Sequence, residues 1–241
     1  MHGVIMLAAG SGERMGDKIP DKILEPIGPS NAFNMSLYAF AHVEKIQAFV
    51  IVFRDEKQME MLKREVNRSA HTLSNKIILF VKGGKERSDS VRNGLNELPE
   101  NCEFVHIHDC ARPMIRTSTI TQMIHGVEDK GVIVACRPAS DTIRQTLETK
   151  LSYDQPQKTQ TLNRQSLWLM ETPQATHKSW LTQALNRAKE RNISITDEVS
   201  ALELDDRKIA FIRLDYPNPK ITNLDDLKLV EYLLKKERNI K

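Results

Sequence analysis

Short apolar runs alternate with amphipathic helical periods along most of this chain, and that alternation constrains its fold more than any other feature. The runs are Gly3–Leu7, Ala48–Phe53, Lys76–Val81, Phe104–His108, Val132–Cys136 and Ile209–Leu214. Helical periods fall near Phe33–Val43, Lys57–Asn67, Ser88–Leu98, Ser118–Glu128, Lys178–Glu190 and Leu224–Lys235. Strands covered on both faces read as continuous apolar runs, and strand–helix–strand units lay them parallel. The expectation is a three-layer α/β architecture, a mainly parallel sheet with helices on both faces and its ligand at the carboxyl ends of the strands. The last helix has clear ends: Asn223 as N-cap, Asp225 and Asp226 in the first turn, Lys235 and Lys236 in the last.

After Cys136 the rhythm breaks. Arg137–Leu167 is polar, rich in Thr and Gln, carries β-branched residues and Pro156, and holds no helical period. About thirty residues without a helix is long for a surface loop. The segment reads as a β-hairpin arm leaving the domain. It has too few large apolar side chains to form its own core, so a neighbouring subunit is expected to order it.

Leu7-Ala8-Ala9-Gly10-Ser11-Gly12-Glu13-Arg14-Met15-Gly16 directly follows the first run and reads as a phosphate-cradling loop. Gly10 and Gly12 let the backbone turn sharply and bring its N–H groups close to a ligand, and Ala8 and Ala9 keep the approach clear. Arg14 adds a permanent charge whose planar fork fits phosphate oxygens. The dinucleotide pattern G-x-G-x-x-G fails, because Gly12 is followed by Gly16, and no G-x-x-x-x-G-K-[ST] exists. As a bare motif the loop also admits the reading of a plain strand-to-helix turn.

Gly83-Gly84-Lys85-Glu86-Arg87-Ser88-Asp89-Ser90 repeats this logic after the run ending at Val81. Ser88 or Ser90 falls where a helix begins, placed to cap it or to bond a ligand edge. In Val105-His106-Ile107-His108-Asp109-Cys110-Ala111-Arg112-Pro113 a buried strand ends in a carboxylate and then a guanidinium. One carboxylate with substrate phosphates is the usual protein share of a Mg²⁺ site, and the plain alternative is an Asp109–Arg112 ion pair across a turn. His106 and His108 invite a zinc reading, which is discounted because His2, His42, His71, His125 and His177 are scattered singly.

Charge narrows the partners: 35 Lys and Arg against 32 Asp and Glu leave a net +3, too little for a nucleic-acid footprint. The three cysteines, Cys102, Cys110 and Cys136, contain no C-x-x-C pair, so neither a disulfide framework nor a structural zinc site is indicated and a reducing cytoplasm fits. Met1 to Leu7 is too short for a signal core and no apolar run approaches membrane-spanning length.

The ordered set of segments resembles the 2-C-methyl-D-erythritol 4-phosphate cytidylyltransferase family. Besides the three loops it includes Ser140-Asp141-Thr142-Ile143, Asn163-Arg164, Leu167-Trp168, Thr172-Pro173-Gln174, Thr196-Asp197-Glu198 and Lys220-Ile221-Thr222. The resemblance implies transfer of CMP from CTP to the 4-phosphate of methylerythritol with release of pyrophosphate, a Mg²⁺ requirement, and a cytoplasmic homodimer with exchanged arms. It also implies a Rossmann-like fold with a protruding β-arm, a single nucleotidyltransferase domain over 1–241 with 137–167 as the dimerisation arm.

Roles carry over by position. Arg14, Lys22 and Lys220 match the catalytic cations, Lys220 also touching the acceptor phosphate. Ala8, Ala9, Gly10, Gly84, Ser90 and Cys110 match nucleotide-binding positions. Asp109 matches the metal ligand. Thr172 and Thr196 match contacts to the acceptor phosphate, and Thr142 and Arg164 match arm residues reaching in from the partner. Two stretches depart from the family pattern: Pro20-Asp21-Lys22-Ile23 carries an apparent one-residue insertion, so Lys22 is assigned by best fit, and Lys85 replaces a usual acid. A ribitol-5-phosphate cytidylyltransferase is the alternative enzyme; Ala111 before Arg112 and the Thr196-Asp197-Glu198 triplet lean against it. A catalytically silent nucleotide-binding protein is the alternative of another class, and retention of Arg14, Lys22, Asp109 and Lys220 together argues against it.

Overall fold

In chain order the elements begin with β1 (His2–Leu7), β2 (Pro26–Ile27), β3 (Ser30–Asn31), α1 (Ala32–Ala41), β4 (Ile46–Phe53), α2 (Glu56–Arg68), β5 (Ile77–Lys82) and α3 (Arg87–Glu97). Then come β6 (Phe104–Asp109), α4 (Thr117–Lys130), β7 (Val132–Pro138), β8 (Arg144–Thr146), β9 (Thr159–Thr161), β10 (Trp168–His177), α5 (Lys178–Glu190), α6 (Glu198–Glu203), β11 (Ala210–Arg213) and α7 (Leu224–Asn239). They are taken from a computed structural model that describes residues 1–10, 12, 21–147 and 155–239.

A seven-stranded sheet runs in the order β11-β7-β10-β6-β1-β4-β5. Its strands are parallel except β10, which lies antiparallel between β6 and β7. Alternate residues of one strand sort to opposite faces. Val4 and Met6 of β1 pack under Phe33, Leu37 and Phe40 of α1, whereas Ile5 between them packs with Val91 and Leu95 of α3 and Leu181 of α5. Helices therefore cover both faces, as the alternation of runs requires.

The long strand β10 is absent from the apolar runs read in the sequence, and its interior holds Glu171, Thr172 and Pro173. Pro has no N–H for a ladder and is confined in sheets to edges or irregularities. Here the β10–β7 register shifts between Met170 and Gln174, and the Thr172–Pro173 peptide is cis within that shift. The arm segment pairs β8 with β9 through Arg144↔Thr161, Gln145↔Gln160 and Thr146↔Thr159, and Ala139 N–H donates to Leu167 O at its base. Helix ends follow their caps: Asn223 Oδ1 accepts from the N–H groups of Asp225 and Asp226 at 2.9 and 3.0 Å. At α3 the expected serine cap is replaced. Glu86 is the N-cap residue, and its N–H donates to Asp89 Oδ2 at 3.1 Å. No helix among the described residues is long and apolar enough to cross a membrane.

Candidate active site

Strand β1 has β4 and β5 on one side and β6 on the other, so the chain reverses its direction of sheet growth beside β1. Loops leaving adjacent strand ends part there and open a crevice. A cavity of about 680 Å³ occupies the place, walled by Leu7 to Gly10 and Gly12 after β1, Arg54 after β4, Gly84 to Arg87 after β5, and Asp109 and Ala111 at the end of β6. Lys22, Ile23, Ser90, Lys220 and Thr222 complete the wall.

The glycine loops earn their composition. Gly12 holds a positive φ of 70°, which glycine adopts without strain. A Cβ on Gly84 would strike Asp89. The Ser90 hydroxyl is engaged by its own loop, accepting from Gly84 N–H at 3.1 Å and donating to Glu86 O at 3.2 Å.

Asp109 is the chemical centre of the wall. Lys220 Nζ lies 2.6 Å from Oδ2, and the Arg87 guanidinium lies 3.4 Å from Oδ1. Burial pushes the Asp109 carboxyl up, but the charges of Arg87 and Lys220 outweigh it and hold the group well below the usual carboxylate range. Arg87 also forks onto Glu198, with Nη1 2.6 Å from Oε1 and Nη2 3.1 Å from Oε2. Glu198 is buried, which pushes its carboxyl up against the pull of Arg87.

The Asp109–Arg112 pair does not form between side chains. Arg112 turns away, its Nη1 donating to Asn218 O at 2.9 Å and lying 3.4 Å from Glu171 Oε2. Arg112 is thereby occupied in tying β10 to the segment before α7, leaving the Asp109 carboxylate facing the cavity.

The cavity brings together Ala8, Ala9, Gly10, Lys22, Gly84, Ser90, Asp109 and Lys220 of the residues singled out in the sequence. Cys110 is the correction: its side chain is wholly buried in the core with α1, burial raises its thiol pKa, and the neighbouring Ala111 lines the cavity instead. Thr172 lies buried behind Asp109, its Oγ1 accepting from Asp109 N–H at 3.1 Å. Thr196 is exposed at the start of α6, with its hydroxyl 3.5 Å from Ser200 Oγ. Thr142 and Arg164 are exposed on the arm, Arg164 donating to Ser140 O at 2.9 Å, and neither lines this chain's cavity. Arg14 lies outside the described residues.

The two strand histidines are held as neutral hydrogen-bonding groups. His106 Nε2 is 3.2 Å from His2 Nδ1, and His108 sits between Ser36 Oγ at 3.2 Å and Thr172 Oγ1 at 3.3 Å. Burial pushes each imidazole pKa down to about 3. Arg87, Glu198 and Arg54 are the residues that sequence reasoning missed. Arg87 carried a signal in its place at the opening of a helix after a glycine pair, and Glu198 in the Thr196-Asp197-Glu198 triplet, whereas Arg54 carried none.

The model of the family described as IspD, 2-C-methyl-D-erythritol 4-phosphate cytidylyltransferase, matches residues 2–236. The chain is 32% identical over 235 residues to the 2-C-methyl-D-erythritol 4-phosphate cytidylyltransferase of Clostridium botulinum strain Langeland, covering 98% of both chains. It is 31% identical over 238 residues to the Clostridioides difficile protein of the same name, covering 99% of this chain and 95% of that one. A solved 4-diphosphocytidyl-2C-methyl-D-erythritol synthase from Anaerococcus prevotii shares the fold with a TM-score of 0.81 at 22% identity, over 98% of this chain and 96% of that chain. With the family's model spanning nearly the whole sequence and relatives 32% identical over 98% of it, the chain belongs to the 2-C-methyl-D-erythritol 4-phosphate cytidylyltransferase family.

Proposed function

We infer that the reaction of this family takes place in the cavity walled by Asp109: CMP passes from CTP to 2-C-methyl-D-erythritol 4-phosphate, and pyrophosphate leaves. The observation that carries the assignment is the Arg87–Asp109–Lys220 cluster at the sheet's reversal point, an ionised carboxylate between two cations on a cavity that Lys22 also lines. An oxygen of the acceptor phosphate attacks the α-phosphorus, the bond to the β-phosphate oxygen breaks, and the electron pair leaves with pyrophosphate. Charge accumulates on the oxygens of the five-bonded transition state, and preorganised cations stabilise it most where water is excluded. Lys22 and Lys220, with Arg14, supply those charges. The nucleophile is already anionic, so no general base is required.

Asp109 suits Mg²⁺ by the chemistry of its donor set: one ionised carboxylate on an open wall, with the rest of the shell left to substrate phosphates and water. Among the described residues no group of three His, Cys, Asp or Glu side chains converges as a transition-metal cage would need. Bound there, the ion would neutralise phosphate charge. The Ala8–Gly10 backbone and Gly84 receive the nucleotide, and Thr172, Thr196 and Lys220 lie on the acceptor side. A homodimer completes the site, each arm bringing Thr142 and Arg164 to its partner's cavity. Pyrophosphate release measured with CTP and each of methylerythritol phosphate and ribitol 5-phosphate tests the reading. Turnover with the first is expected, and equal rates with ATP, GTP and CTP, or preference for ribitol phosphate, would overturn it.

A further inference from the structure

Outside the loops that carry the chemistry, the stretch from the end of β4 into α2 sends two side chains, those of Arg54 and Gln58, to the Ala8–Gly10 backbone and to Asp21 beside Lys22. Gln58 is completely buried. Its amide nitrogen donates to Ala8 O at 2.9 Å and to Asp21 Oδ2 at 2.5 Å, and its amide oxygen accepts from Arg54 N–H at 2.6 Å. Three partners fix the orientation, because a flipped amide would set its oxygen against two acceptors. Arg54 makes the same span: Nη1 donates to Gly10 O at 3.2 Å and Nη2 lies 3.5 Å from Asp21 Oδ2. Asp21, nearly buried, accepts from Ile23 N–H at 3.2 Å with its other oxygen and so holds the turn that carries Lys22. The start of α2 is itself fixed, since Asp55 Oδ1 caps the helix through Gln58 N–H at 2.8 Å.

We propose that Gln58, with Arg54 and Asp21, is a positioning unit that sets Lys22 against the Ala8–Gly10 backbone, so that the cation and the nucleotide loop meet the triphosphate at one fixed spacing. The inserted Asp21 is then the anchor of Lys22. A misplacement of about 1 Å costs transition-state stabilisation on the order of 10²-fold, and Gln58 bonds both the Ala8 carbonyl and the Asp21 carboxylate. This rests on the role given to Lys22.

Gln58→Leu, Gln58→Glu, Asp21→Asn and the Gln58→Leu/Asp21→Asn double variant are compared with Val230→Ala, a core change in α7 that serves as a control for lost stability. Gln58→Leu is expected to lower kcat at saturating CTP by about 10-fold or more, with the KM for the acceptor unchanged. Asp21→Asn is expected to add little to it in the double variant, because the two act as one unit. Gln58→Glu, which puts a carboxylate against Asp21, is expected to be no better than Gln58→Leu. In parallel, backbone hydrogen exchange is read in peptides covering residues 4–10 and 21–25, where Gln58→Leu is expected to accelerate both together. Loss of kcat no greater than in Val230→Ala, independent multiplication of the two single effects, or faster exchange in only one peptide would overturn the proposal. If Lys22→Ala retains full kcat, the role of Lys22 fails, and the exchange result still decides whether Gln58 couples the two segments.

Discussion

Lys220 Nζ stands 2.6 Å from Asp109 Oδ2, an ion pair between residues 111 positions apart in the chain. Backbone supports it: Ile221 N–H donates to Ala111 O at 2.8 Å, so the segment before α7 is tied to the turn after β6 beside the pair. Replacing Lys220 by methionine keeps much of the stem and removes the charge. We expect kcat to fall on the order of 10²-fold, as for loss of one preorganised transition-state partner. Stability should fall by only about 1 kcal/mol, since the Lys220 side chain is 37% exposed and Asp109 keeps Arg87. Steady-state kinetics beside urea unfolding separates the two, and an unchanged kcat removes Lys220 from the chemistry.

The buried histidines predict the direction of acid sensitivity. In the unfolded chain each imidazole takes a proton near 6.5, whereas in the folded chain burial delays it to about 3 for His106 and His108. Between those values the unfolded state binds more protons, so stability rises with pH across the window and is lost as pH falls from 6.5 toward 3. Each group contributes about 1.4 kcal/mol per pH unit inside it. His106→Phe should therefore flatten the dependence measured by urea unfolding at pH 7, 6, 5 and 4. A slope identical to wild type would mean that His106 does not resist protonation in the fold.

If Asp109 holds Mg²⁺ as proposed, chelation should stop turnover while leaving the protein folded, because Asp109 has Lys220 and Arg87 as partners without any ion. We expect excess chelator to abolish pyrophosphate release, added Mg²⁺ to restore it, and the melting temperature to shift little in the absence of nucleotide. Undiminished activity in chelator would remove Asp109 from the role of metal ligand.

How far the sequence revealed this protein differs between fold and site. The apolar runs located the parallel strands: burial on both faces leaves a local signature in β1, β4 and β6, and the partly buried edge strands β5 and β11 kept enough apolar residues to be read; the run Phe104–His108 became β6, Phe104–Asp109. Strand β10 left no such mark. Glu171, Thr172 and Pro173 interrupt it, and its place in the sheet depends on a register shift that only pairing with β7 creates. The glycine loops and Asp109 were legible since backbone approach and strand-end position are properties of short segments. The Arg87–Glu198 fork joins residues 111 apart, and Gln58 reaches Ala8 and Asp21 from another helix. Such partners emerge only once the sheet brings α2, α3 and α6 to one edge.

The arm supplies the last prediction. Arg164 bonds Ser140 O within its own arm, and neither it nor Thr142 lines the cavity of the chain that carries it. On the exchanged-arm reading this fork-shaped cation would serve a second copy, and a two-fold axis would make the exchange reciprocal. An Arg164→Ala chain combined with a Lys22→Ala chain, each inactive alone, tests this. If arms are exchanged, the mixed dimer holds one site with both lesions and one with neither, and about half of the wild-type activity should return, because sites in a closed two-fold dimer are equivalent. If each arm instead serves its own chain, every site in the mixed dimer keeps one lesion and no activity returns. Verified mixed dimers without rescue, or a monomer fully active at working dilution, would exclude shared sites.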